Sequence, residues 1–154
     1  TRLSEDLNGI EYSGVLKNIY AIGLGIAIGL GYGDNYQAVF MANAISEMQV
    51  FLNHLNKVPR NLLSSVYLGD LLVTGYSGFS RNRYFGTMLG KGYSVKAAQL
   101  EMKMIAEGYY ALKPMQQKLE KLKLGLPVFF AIYDVVYNDV RPSIAYAQLK
   151  NVFH

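Results

Sequence analysis

Lys17 is the residue in this chain best placed to move a proton. It is the only charged side chain between Glu11 and Asp34, and it lies in a glycine-studded apolar run, Gly14-Val15-Leu16-Lys17-Asn18-Ile19-Tyr20-Ala21-Ile22-Gly23. An ammonium is rarely buried without a partner because it must be desolvated. A lysine in a core helix therefore needs a nearby anion and has a task. Two later stretches offer matching chemistry. Leu68-Gly69-Asp70-Leu71-Leu72-Val73-Thr74 carries a carboxylate, and Phe79-Ser80-Arg81-Asn82-Arg83-Tyr84-Phe85-Gly86 carries an anion clamp. The planar fork of Arg81 matches phosphate oxygens bidentately, which a lysine cannot copy. Ser80 adds a hydroxyl, and the first N–H groups of a helix that it opens favour an anion. Thr74 shares a face with Asp70 if that stretch is helical. Together these residues describe a pocket for a small phosphorylated carbonyl compound. Plainer readings stand beside this one: a snorkelling Lys17, Asp70 as a helix-terminus cap, and Arg81 in a solvated basic helix start.

Helices must position these groups. Apolar spacing and breakers predict a first helix over about 12–30, whose small residues Gly14, Ala21, Gly25 and Gly29 let another helix approach closely. Gly31-Tyr32-Gly33-Asp34-Asn35 breaks the chain, with Asp34 or Asn35 capping a second helix that runs to about residue 56. Val39, Phe40, Ile45, Met48, Phe51, Leu52 and Leu55 form its apolar face. Pro59 opens a short helix to about residue 68, and residues 75–78 read as a loop. Ser80 and Ser94 are N-caps of two further short helices, with Gly90-Lys91-Gly92 between them. A longer helix over about 109–124 turns Leu112, Met115, Leu119 and Leu122 inward. Pro114 kinks it or delays its start, and Gly125 closes it. Pro127 and Pro142 open the last two. No alternating strand pattern and no fixed repeat are present. The expected fold class is an all-α, multi-helix single domain over 1–154.

Composition narrows the function classes. A chain of 154 residues with 51% hydrophobic content supports a full core in one domain. With no cysteine and two scattered histidines, His54 and His154, neither a disulfide framework nor a thiolate or histidine metal cluster is expected. The net charge of +4 suits one anionic ligand. Nucleic acid needs a clustered basic stripe, whereas the lysines between Lys91 and Lys123 recur as on a solvated helix face. The first six residues lack the apolar core of a signal peptide. The uncharged stretch after Lys17, from Asn18 to Gly33, is 16 residues, short of the about 20 that span a bilayer. The expectation is a cytoplasmic protein with neither membrane nor nucleic-acid partner.

Four motifs, in order and spacing, resemble the substrate domain of NAD(P)-dependent glycerol-3-phosphate dehydrogenase. The first is Gly14-x-Leu16-Lys17-Asn18 with Ala21, Gly23, Gly25 and Gly29-Leu30-Gly31-Tyr32-Gly33-Asp34-Asn35. Then come Leu68-Gly69-Asp70-Leu71 with Thr74, Ser80-Arg81-Asn82-Arg83 with Phe85-Gly86, and Ile105-Ala106-Glu107-Gly108. The likeness runs from about residue 9 to 151. It implies a helical domain resembling the C-terminal-domain-like fold of 6-phosphogluconate dehydrogenase. It further implies Lys17 as catalytic acid/base and substrate held by Asp70, Ser80, Arg81 and Asn82; Lys17 would also touch substrate, Asp70 would orient it, and Thr74, by its helical spacing from Asp70, joins the substrate-binding candidates. Arg81, Ile105 and Glu107 would reach the nicotinamide cofactor. Departures from the family pattern are Ile28 for an acidic residue, Asn43 for an arginine, Val15 for alanine or threonine, and Tyr20 for a smaller aliphatic. None falls on the implied catalytic set.

The resemblance also implies what lies beyond these residues. The family's dinucleotide-binding fold carries a GxGxxG turn, and Gly23-x-Gly25-x-x-x-Gly29 has neither that spacing nor a preceding strand. The chain is therefore expected to be the C-terminal part of a longer enzyme, with residues 1–10 a hinge remnant and NAD(P)H bound mainly by an N-terminal partner domain. Alone it is expected to be inactive, and a homodimer is allowed. The implied reaction interconverts dihydroxyacetone phosphate and sn-glycerol 3-phosphate for glycerophospholipid synthesis. Two alternatives remain at this point: a related dehydrogenase for another hydroxy compound, and a non-catalytic helical module that binds a partner helix.

Overall fold

The computed structural model describes residues 7–55, 80–104 and 106–154, and every regular element among them is a helix. In chain order these are α1 (Leu7–Gly29), α2 (Asp34–Leu55), α3 (Arg81–Gly90), α4 (Val95–Glu101), α5 (Glu107–Leu122), α6 (Pro127–Tyr137) and α7 (Pro142–Leu149). The expected helix from Pro59, the loop at 75–78, Asp70, Thr74 and Ile105 lie outside the described residues.

α1 is the hub. Leu16, Ile19, Tyr20, Ala21, Ile22, Leu24, Ile26 and Ala27 are all fully buried, and they point in every direction around the helix. A helix apolar on all sides is stable only when surrounded, and α2, α3, α5 and α6 all pack on α1. Gly31 closes α1 at φ +89°, with the N–H of Tyr32 returning to the Ala27 carbonyl at 3.0 Å. This left-handed terminus is one that glycine adopts without strain.

α3 lies almost against the backbone of α1. A Cβ on Gly86 would strike the Ile22 carbonyl, and one on Gly90 the Ile26 carbonyl. In return, Gly25 faces the Arg83 carbonyl and Gly29 the Thr87 carbonyl. Each advance of four residues on α3 matches an advance of four on α1, so the two helices run in the same direction. Small residues at this spacing remove the side chains that otherwise hold helix axes about 8–10 Å apart.

α6 and α7 cover another flank. Val128, Phe129, Ile132, Val135 and Val136 of α6 are buried, as are Ala145, Tyr146 and Leu149 of α7. The Tyr146 hydroxyl donates to the Gly23 carbonyl at 2.6 Å, and the Tyr36 hydroxyl donates to the Tyr146 carbonyl at 3.0 Å. The local N-cap of α6 is Leu126, which has no side-chain acceptor. Glu47 of α2 substitutes for it: its carboxylate accepts from the N–H groups of Val128 and Phe129, the latter at 3.0 Å, and from the Tyr20 hydroxyl at 2.9 Å. Tyr20 is one of the positions that depart from the family pattern, and here it is a hydrogen-bond donor to a buried acid.

Several expected boundaries shift. α1 starts at Leu7 rather than near residue 12, and α5 starts at Glu107 rather than near 109. Asp34 is the first residue of α2 rather than its cap. Pro114 lies inside α5. Its missing N–H deprives the carbonyl of Tyr110, on an exposed stretch where water can replace the bond. α5 is closed by Lys123 in the left-handed conformation, φ 55° and ψ 39°, ahead of Gly125. Val39 is 37% exposed and Leu122 only half-buried, so neither is a full core residue.

Candidate functional site where the middle of α1 meets two helix N-termini

The parallel register of α1 and α3, followed one turn back from Ile22 and Gly86, brings Asn18 level with Asn82. The first turn of α5 closes on both. The backbone N–H of Gly108 donates to Asn82 Oδ1 at 2.8 Å, and Asn18 Nδ2 donates to Glu107 Oε2 at 3.4 Å. A Cβ on Gly108 would lie 2.7 Å from the Asn18 carbonyl oxygen and 2.8 Å from Ile22 Cδ1. Glycine is required there for this approach. The pairs Lys17–Asn18, Arg81–Asn82 and Glu107–Gly108 therefore belong to one cluster.

Ser80 caps α3 as expected. Its backbone is extended, φ −68° and ψ 118°, and its hydroxyl oxygen accepts from the Arg83 N–H at 3.3 Å. Such a cap satisfies one of the orphan donors of the first turn. Arg81, first residue of α3, is exposed, while Asn82 beside it is only 7% exposed. Lys17 is half-buried on α1. Glu107, first residue of α5, is exposed where a carboxylate is favoured by the helix dipole.

The local N-cap of α5 is Ala106, which has no side-chain oxygen. Asn82 supplies that oxygen from α3. Sequence reasoning assigned Asn82 to the substrate and did not see this partner, which lies 26 residues away. It also passed over Asn18, although Asn18 follows Lys17 within a motif already singled out. Glu47 was missed as well. It is 7% exposed, and burial pushes its carboxyl up to about 7 against the opposing hydrogen bonds from Val128, Tyr20 and Phe129.

A cavity of about 250 Å³ with a mixed polar and apolar lining flanks the Glu107 segment, bounded by Phe85, Gln99, Lys103, Ala106, Tyr109 and Tyr110 among others. A shallower depression of about 210 Å³ connects Arg81 and Tyr84 to Glu101 and Met104. Arg81 and Glu107 are thus exposed near a cavity of mixed polarity, with Lys17 half-buried on α1 next to Asn18. Such a set can hold an anionic group near Arg81 and a flat, partly polar group in the cavity. Among the described residues no group of acids and histidines could hold a metal ion, and no helix is long and apolar enough to cross a membrane.

An all-α domain in which the mid-helix Lys17–Asn18 pair of α1 meets the first turns of α3 and α5 fits the helical substrate domain that the sequence motifs resemble. Residues 6–147 match the family described as NAD-dependent glycerol-3-phosphate dehydrogenase C-terminus, and the chain belongs to that family. It is 39% identical over 140 residues to glycerol-3-phosphate dehydrogenase [NAD(P)+] of Staphylococcus epidermidis, covering 91% of this chain and 42% of the relative. With the enzyme of the same name from Agathobacter rectalis it shares 36% identity over 146 residues, 95% of this chain and 44% of the relative. The crystal structure of glycerol-3-phosphate dehydrogenase from Coxiella burnetii superposes with a TM-score of 0.89 at 31% identity, over 93% of this chain and 44% of that one. The chain thus spans less than half the length of the relatives it matches.

The donor set fits a nicotinamide nucleotide. An exposed arginine can meet phosphate or carbonyl oxygens, and an exposed carboxylate held by Asn18 can accept from a ribose hydroxyl or an amide N–H.

Proposed function

We propose that this chain is the substrate-binding and catalytic part of a cytoplasmic enzyme that interconverts dihydroxyacetone phosphate and sn-glycerol 3-phosphate with NAD(P)H. A dinucleotide-binding partner domain of the same enzyme holds most of the cofactor. The observation that carries this reading is the meeting of the Lys17, Arg81 and Glu107 segments at one cluster, in a chain of this family. The nicotinamide cofactor, when bound, supplies or accepts a hydride at substrate C2. Lys17 donates a proton to the C2 oxygen as negative charge builds there, giving the alcohol, and the neutral amine is then reprotonated from solvent. In the oxidative direction it removes that proton. A compact ammonium suits the task because its surroundings can bring it toward the working pH. Arg81 grips the phosphate, Ser80 and Thr74 add hydroxyls, and Asp70 orients Lys17. Glu107 and Ile105 contact the cofactor. The product would feed glycerophospholipid synthesis.

The test uses the full-length gene product. Oxidation of NADH and NADPH is followed at saturating dihydroxyacetone phosphate, beside Lys17→Met. The variant should keep its helical circular dichroism and lose at least ~10²-fold in kcat, the lower end of acid–base contributions. Near-normal turnover in the variant would reject Lys17 as the acid/base.

A further inference from the structure

Asn82 has two chemically different ends, and the structure occupies one of them. Its Oδ1 accepts the Gly108 N–H at 2.8 Å in a buried setting, where Ala106 leaves α5 without a side-chain cap. Glu107 immediately precedes that bonded N–H, and its carboxylate is reached on the other side by Asn18 Nδ2. Gly108 packs so closely that a Cβ there would lie 2.7 Å from the Asn18 carbonyl oxygen. We infer that Asn82 is a positioning residue for the cofactor-contact segment: through its oxygen it anchors the first turn of α5 and sets where Glu107 points. This rests on the proposed function and deepens it. The same side chain that the family pattern assigns to the phosphorylated substrate also fixes the segment that meets the nicotinamide nucleotide.

The two ends can be separated by substitution. Asn82→Ala removes both the oxygen and the NH2 group. Asn82→Asp keeps an acceptor for the Gly108 N–H, where a carboxylate is favoured by the helix N-terminus, but it has no donor for phosphate and adds a like charge. Three quantities are measured on the full-length gene product: hydrogen exchange at the Gly108 amide, the NADH dissociation constant by calorimetry, and the KM for dihydroxyacetone phosphate. Asn82→Ala is expected to speed exchange at Gly108 and to weaken NADH roughly tenfold, the size of one lost hydrogen bond. Asn82→Asp should restore both while its substrate KM stays raised. Unchanged NADH affinity in Asn82→Ala overturns the inference, and so does an Asp variant that binds NADH as poorly as the Ala variant. A wild-type protein that neither binds NADH nor turns over the substrate refutes the proposed function itself, and this inference with it.

Discussion

Replacing Glu47 by glutamine probes a buried charge whose cost the structure allows to be worked out. Glu47 is 7% exposed, and its carboxyl is raised from 4.5 to about 7, chiefly by burial. Three donors oppose the rise, the N–H groups of Val128 and Phe129 and the Tyr20 hydroxyl, and they do not cancel it. Between pH 4.5 and 7 the folded chain therefore holds a proton that the unfolded chain has released. Unfolding free energy must fall as pH rises through this window. The gap of about 2.5 pH, at about 1.4 kcal/mol for each, makes the loss roughly 3 kcal/mol. Glutamine does not titrate, so it removes that slope. Its NH2 group also faces donors, so at least one loses its acceptor, at a cost of about 1–3 kcal/mol. Urea unfolding of both proteins at pH 5, 6, 7 and 8 should find the wild type more stable at pH 5, with the difference shrinking by roughly 3 kcal/mol toward pH 8. A difference that is constant with pH, or that grows as pH rises, would refute the reasoning. The second result would mean that the three hydrogen bonds outweigh burial.

Gly86→Ala should cost about 1–3 kcal/mol despite alanine's better helix propensity, because the new Cβ meets the Ile22 backbone. Gly14→Ala, with nothing within 4 Å of the new Cβ, should instead gain up to ~1 kcal/mol, and thermal melts of the pair check the contrast. Arg81→Lys should raise the KM for dihydroxyacetone phosphate by roughly tenfold or more with little change in folding, since a bidentate charged contact is lost. An unchanged KM would reject the phosphate clamp.

Much of the helical punctuation was legible because its signals are local. Ser80 and Ser94 cap helices through N–H groups three residues ahead, and Pro127 and Pro142 stand at first helical positions. The burial of α1 followed from its near-total lack of charge. What the sequence did not disclose is non-local. Nothing around Glu47 in α2 announces that its carboxylate will meet N–H groups 81 and 82 residues away. Asn82 next to Arg81 reads as part of an anion clamp, and only the packing of α5 reveals its second partner. Lys123, in the left-handed conformation, closes α5 in place of Gly125, because Leu124, one residue before that glycine, already returns its N–H to Leu119.

The borrowed caps of α5 and α6 bear on the direction in which the chain is made. Ala106 and Leu126 cannot begin these helices by themselves, and a short helix without tertiary support is marginal in water. Both acceptors, Asn82 and Glu47, precede the helices they complete. In a chain emerging from its N-terminus, the oxygen is already waiting on an earlier helix when the later segment appears. The C-terminal helices can then settle onto the α1 hub as they are synthesised, without a loop closure that reaches forward to residues not yet made.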